Sequence, residues 1–189
     1  MRKSRVVLCL MVGAIFLRAH QSKAAADKLF GNMAYFTDCP YIAEKVTLVK
    51  GDRVVWNGRL HVSLHYGGQY VYGDFNRDGL RDAAVIIYES EGGSADWRSL
   101  AFLINDGARL VHKQRVHLGD RVIVNSLKEQ NNRVIVDMFV HQEEDCMAGP
   151  TKRIRNVYTY DGPDHWAEVS ESPYQGKSGT ATHFRLERS

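Results

Sequence analysis

The sequence predicts a mainly β protein: an antiparallel meander, packed as a sandwich or closed as a barrel, with little helix. Apolar residues recur at every second position in several segments, as half-buried strands require. Two further runs are apolar on both faces, the mark of central strands covered on both sides. Turn-forming residues separate the runs at hairpin-like intervals.

Taken in order, the elements begin with one or two helical turns near Lys28 to Tyr35. His61 to Tyr66 (HVSLHY) alternates, with Val62, Leu64 and Tyr66 on one face. Ala83 to Tyr88 (AAVIIY) and Leu100 to Ile104 (LAFLI) are the two runs apolar on both faces. Asp120 to Leu127, Arg133 to Val140 (RVIVDMFV) and Lys152 to Tyr160 alternate again. Turns are expected at Lys50-Gly51-Asp52, Tyr66-Gly67-Gly68, Asn105-Asp106-Gly107, Gln130-Asn131-Asn132 and Tyr160-Asp161-Gly162, where Gly, Asn and Asp supply positive φ. From Ser170 the chain is polar and nearly free of aliphatic residues, which reads as a flexible tail over 170–189.

The N-terminus has the layout of a secretory signal peptide over residues 1–26. Arg2, Lys3 and Arg5 precede an apolar run from Val6 to Leu17, and Ala24-Ala25-Ala26 offers a small-residue cleavage site before Asp27. The apolar run is shorter than the roughly 20 residues of a membrane-spanning helix. Residues 27–169 are then one β-rich domain, exported to the periplasm or the medium, with no transmembrane segment. The formal charge of +3 becomes −2 on removal of Arg2, Lys3, Arg5, Arg18 and Lys23, because no acid leaves with them. The basic balance belongs to the export signal, which argues against a nucleic-acid partner. Cys39 and Cys146 remain, and in an oxidising compartment they are expected to form a disulfide. Closing so long a loop is worth up to about 4–5 kcal/mol on the chain-entropy account.

One segment carries a chemical pattern. In GDFNRDGLRD, Gly73 to Asp82, counting from Asp74 puts Asp74, Asn76 and Asp78 at positions 1, 3 and 5, Gly79 at 6, Leu80 at 7 and Asp82 at 9. Ca²⁺ takes six to eight hard oxygen ligands. Side chains at 1, 3, 5 and 9 and the carbonyl at 7 supply five, with water completing the shell. Arg77 and Arg81 lower the loop's negative charge, and Asp-rich turns also arise without metal because Asp and Asn bond their own backbone. An EF-hand is excluded: position 12 would be Val85, inside a β-branched run, where that motif needs a bidentate Glu.

The segment resembles the calcium loops of FG-GAP repeats, in which G-D-x-N-x-D-G-x-x-D leads into an apolar strand. The resemblance implies Asp74, Asn76, Asp78 and Asp82 as side-chain ligands and Leu80 as a carbonyl ligand of a structural Ca²⁺. Those repeats build propellers in sets, and this chain has a single one, so the propeller fold does not carry over. With LINDGARL at Leu103 to Leu110, LGDRVIVNSL at Leu118 to Leu127 and the turn at Cys146, the chain also looks like a group of small exported bacterial proteins without an assigned activity. That likeness implies a bacterial envelope or secreted setting and brings no catalytic residues.

The other polar clusters suit plainer roles. His61 and His65 share a strand face but stand roughly 13 Å apart, too far to share one ion. His112 and His117, the cluster His141, Glu143, Glu144 and Asp145, and the basic run Lys152, Arg153 and Arg155 read as solvated faces or loops. Glu89 to Trp97 is a glycine-rich loop between two central strands. No nucleophile elbow and no H-E-x-x-H zinc motif occurs, so no catalytic residue and no organic cofactor is assigned. The expectation is a non-catalytic binding module with a structural Ca²⁺ and a protein or glycan partner in the envelope. The alternatives are an envelope hydrolase and an inhibitor of a secreted enzyme.

Overall fold

The computed structural model describes residues 22–37, 39, 42–56, 58, 60–145 and 149–162, and the backbone of 170–171. It is mainly β, with one short helix, α1 (Lys23–Phe30). A two-stranded sheet pairs β1 (Ala34–Phe36) with β2 (Lys45–Thr47). The central sheet runs in the order of the chain: β3 (Asp52–Trp56), β4 (His61–Gly73), β5 (Asp82–Ser90), β6 (Trp97–Asn105) and β7 (Leu110–Asp120). A third sheet contains β8 (Ile123–Gln130), β9 (Arg133–Val140), β10 (Lys152–Tyr158) and β11 (Ser170–Glu171). All pairings are antiparallel.

The central sheet is covered on both faces, as the apolar runs predict. Successive residues of β5 point to opposite sides. Ala84 and Ile86 join Leu100, Phe102 and Val116 against Val134, Val136, Met138 and Tyr158 of the third sheet. Ala83, Val85 and Ile87 join Leu64, Ala101 and Leu103 against Ala26, Phe30, Tyr35, Val46 and Leu48 of the N-terminal layer. The result is a sandwich of two sheets with an extra layer, α1 with β1–β2, on the outer face of the larger one.

Three local expectations are corrected. The helix lies at Lys23–Phe30 and not at Lys28 to Tyr35, because Ser22 caps it, its Oγ accepting from Ala25 N at 3.2 Å, and Gly31 ends it. Tyr66-Gly67-Gly68 is a bulge within β4 and not a turn. The register shifts between Tyr66 and Tyr70, Gly68 takes φ +72°, and a Cβ on Gly67 would sit 3.0 Å from the Tyr88 ring. The strand expected at Asp120 to Leu127 is split. β7 ends at Asp120, Arg121 turns the chain with φ +50°, and β8 starts in the other sheet at Ile123. The turns at Lys50-Gly51 and Asn131-Asn132 are tight two-residue reversals with positive φ at both positions.

α1 begins inside the segment that the sequence assigns to the signal peptide. Ala26 is wholly buried, and Asp27 is held by Lys23 at 2.7 Å and by the Tyr66 hydroxyl at 3.0 Å. Residues 1–21 and 172–189 lie outside the described residues. Ser170 and Glu171 pair with Val157 and Asn156 of β10. Among the described residues no helix is long and apolar enough to cross a membrane.

Candidate functional site

The aspartate-rich loop connects β4 to β5, and its ends, Gly73 and Asp82, are the last paired residues of that hairpin. Phe75 anchors it from below: the ring is buried and packs edge-on against Phe102 at 5.3 Å. Arg77 (φ +62°) and Gly79 (φ +86°) take the left-handed conformation on either side of Asp78, which reverses the chain. Glycine at position 6 is thus explained by the backbone.

Asp82 is the loop's inner staple. Its carboxylate is fully buried. Oδ2 accepts from Phe75 N at 2.8 Å and Asn76 N at 3.3 Å, and Oδ1 accepts from Asn105 N at 2.8 Å. One side chain therefore closes its own loop and ties it to the β6–β7 turn. Burial pushes the Asp82 carboxyl up from its ordinary value; the three amide bonds pull the other way, and the negative charge of Asp78 adds to the upward shift.

The outer positions satisfy one another. Asp78 Oδ1 accepts from Leu80 N at 2.7 Å, and Asn76 Oδ1 accepts from Asp78 N at 3.2 Å. Asn76 Nδ2 donates to Asp78 Oδ2 at 2.7 Å, and Asp74 Oδ2 accepts from Gly79 N at 3.1 Å. The exception is Asp74 Oδ1, which is buried and has no hydrogen-bond partner. A buried carboxylate oxygen without a donor costs roughly 1–3 kcal/mol or more, and a cation would remove that cost. Among the described residues no group of three or more His, Cys, Asp or Glu is placed to hold a metal ion. Asp82 is turned to the backbone, so Asp74, Asn76 and Asp78 form the open side of the loop. Oδ1 of Asp82 keeps a lone pair beyond its one amide bond, whereas Oδ2 already accepts two.

The remaining sequence candidates are not brought together. His65 pairs with Asp52 at 3.0 Å, while His61 stacks with Trp56 and His117 with Trp97. His112 is buried under the N-terminal layer; its Nδ1 accepts from Phe36 N at 2.8 Å and its Nε2 lies 3.0 Å from Gln114 O. Asp145 organises its own loop, accepting from the backbone N–H groups of Gln142 and Thr151 and from the Thr151 hydroxyl. The basic run lies on an exposed strand face, as expected, and from there Arg153 and Arg155 also bind the buried Asp137. The glycine-rich loop after Ser90 is a hairpin held by Ser90 Oγ to Ala95 O and by Asp96 N to Asp120 Oδ1, both 2.9 Å. Cys39 is buried, and Cys146, the other half of the expected disulfide, lies outside the described residues.

Sequence reasoning missed a buried ion pair, Glu89 with Arg115 at 2.6 Å, both almost free of solvent. Arg115 also donates to Ser99 Oγ and Phe36 O, and Thr37 Oγ1 donates to Glu89 Oε1. The cluster fastens β1 onto the central sheet. No local signal marks it, because its members are far apart in sequence.

No family model, no curated protein and no solved structure matches the chain. The functional reading therefore rests on this geometry.

Proposed function

We propose that the protein is an exported, non-catalytic binding module of the bacterial envelope or secretome, with GDFNRDGLRD as a structural Ca²⁺ loop. The observation that carries the ion is Asp74 Oδ1, a buried carboxylate oxygen without a donor, in the same loop as Asn76 and Asp78. Asp74, Asn76 and Asp78 would hold the cation, with the Leu80 carbonyl and Asp82 completing the protein ligands. The ion would relieve repulsion among Asp74, Asp78 and Asp82 and couple loop order to the β4–β5 hairpin. The non-catalytic reading is supported by what the buried carboxylates do. Glu89 is bound to Arg115, Asp137 to two arginines, and Asp82 to backbone amides.

Thermal unfolding in EDTA and in millimolar Ca²⁺ tests the ion. At 100-fold excess over Kd, binding to the folded state alone adds about 2.7 kcal/mol. For a domain of this size that raises Tm by roughly 5–10 °C. The shift is expected in the native sequence and lost in Asp74→Ala and Asp78→Ala. An equal response in all three proteins, or none in any, would leave the loop a metal-free turn.

A further inference from the structure

We infer that the groove beside the aspartate-rich loop binds a small oxyanion ligand, one bearing carboxylate or phosphate. This names a ligand class for the binding-module reading and does not depend on the ion. The groove has a volume of about 770 Å³ and lies between the end of α1, β1–β2 and the β6–β7 turn. That volume suits one small molecule or the end of a glycan.

Lys45, Arg81 and Arg109 line it, and no acidic residue does. Among the described residues none of these three cations takes part in an ion pair. The nearby Asp106 carboxylate lies outside the lining; the backbone N–H groups of Ala108 and Arg109 engage it and the Arg109 charge also acts on it, which leaves Lys45 and Arg81 as the cations without a carboxylate beside them. Three cations and no carboxylate around one concavity, in a chain whose charge is −2 once residues 1–26 are removed, select anions. A guanidinium offers a planar fork that matches carboxylate and phosphate oxygens.

Two of the walls are fixed before any ligand arrives. The Arg81 guanidinium sits over the Tyr72 ring, its Cζ 3.6 Å from the centroid. The turn bearing Arg109 is held by Asp106 N to Arg109 O at 3.0 Å and by Asn105 N to Asp82 Oδ1 at 2.8 Å. Asn105 Nδ2 also reaches Arg81 O at 3.4 Å, so the backbones of both arginines are tied to one network. His112, neutral and buried, forms part of the floor. The cations are few and the site is concave, which favours a compact ligand over a nucleic-acid track.

The test is calorimetric titration of the purified protein, metal-stripped and Ca²⁺-loaded, at low salt. The probes are a galacturonic acid tetrasaccharide, inorganic phosphate and the neutral probe maltotetraose. Saturable binding of either anionic probe, weakened at least tenfold in Arg81→Ala/Arg109→Ala and unchanged in Lys128→Ala, supports the inference and tells which source of oxyanion fits. Circular dichroism confirms that each variant is folded, and the single variants Arg81→Gln and Lys45→Gln replace the double one if it is not. No binding of either anion to either form overturns the inference. So does equal binding of the neutral sugar, or binding indifferent to the groove variants. The Ca²⁺ melts report separately, so failure of the ion reading and failure of the groove are distinguishable.

Discussion

Acidification from pH 7 to pH 5 should destabilise this protein through His112. The ring is buried between β7 and the N-terminal layer. Its Nδ1 accepts the Phe36 N–H, so the neutral ring carries its proton on Nε2, toward Gln114 O. A second proton on Nδ1 would face that N–H donor. Burial, the largest cause, pushes the imidazole down to about 3, and the charges of Arg115 and Lys45 push the same way. In the unfolded chain the ring titrates near 6.5. The unfolded state then binds the extra proton between those values, so stability is fully present above pH 6.5 and is lost as pH falls below it. From pH 7 to pH 5 the linkage relation gives a loss of about 2 kcal/mol. This figure depends almost wholly on the unfolded value, provided that the folded one lies below about 4. Urea unfolding at half-unit steps of pH measures it. His112→Asn keeps an acceptor near Nδ1 and cannot titrate. Its stability should be lower throughout, and its slope should be flatter by about 2 kcal/mol over the same range. His61, His65, His117 and His141 are common to both proteins and cancel in the comparison. Parallel pH profiles for the two proteins would refute the reasoning.

Other expectations follow from the same geometry. Asp82→Ala removes the acceptor for three backbone N–H groups at once and should cost on the order of 3–5 kcal/mol by denaturant titration. Glu89→Ala leaves the Arg115 charge buried and should cost about 3–5 kcal/mol, and Glu89→Met with Arg115→Met should recover part of it. The two bonds from Arg153 hold the Asp137 carboxyl well below the usual carboxylate range, so its stabilisation is present above pH ~4 and drains as pH falls further. Acid unfolding of Asp137→Asn should lack that component. A chain starting at Asp27 loses the Ser22 cap and the buried Ala26 methyl. It should be less stable than one starting at Ser22 by about 2 kcal/mol, read from paired melts.

The central sheet was legible because two-sided burial writes itself into composition. AAVIIY and LAFLI have no polar face to present, and they became β5 and β6. Arg133 to Val140 alternates cleanly and is β9 to the residue. The double glycine after Tyr66 misled, since a bulge and a turn both call for small residues and positive φ. Only the pairing of Tyr70 with Val85 distinguishes them. The sequence places His112 and His117 on a strand, but its extent, Leu110 to Asp120, and its buried face were not legible, because the inward polar residues His112, Gln114 and Arg115 are covered by a layer that no local pattern announces. The aspartate loop was visible as a pattern, but the inward turn of Asp82 toward Asn105 depends on a contact across 23 residues. The groove was invisible for the same reason: Lys45, Arg81 and Arg109 meet only in the folded chain.

The alternation of β5 between two cores also fixes how the molecule opens. Its amides cannot reach solvent by peeling back one layer, since the other still covers the strand. Their exchange with deuterium should therefore follow global unfolding. The outer layer differs: α1, β1 and β2 rest on Phe30, Tyr35 and the Glu89–Arg115 fastening. Amide exchange in that layer ahead of β5 would show that it detaches as a unit of its own. Its departure would strip one wall from the groove and leave the sandwich standing, a partly open form populated before the protein as a whole unfolds.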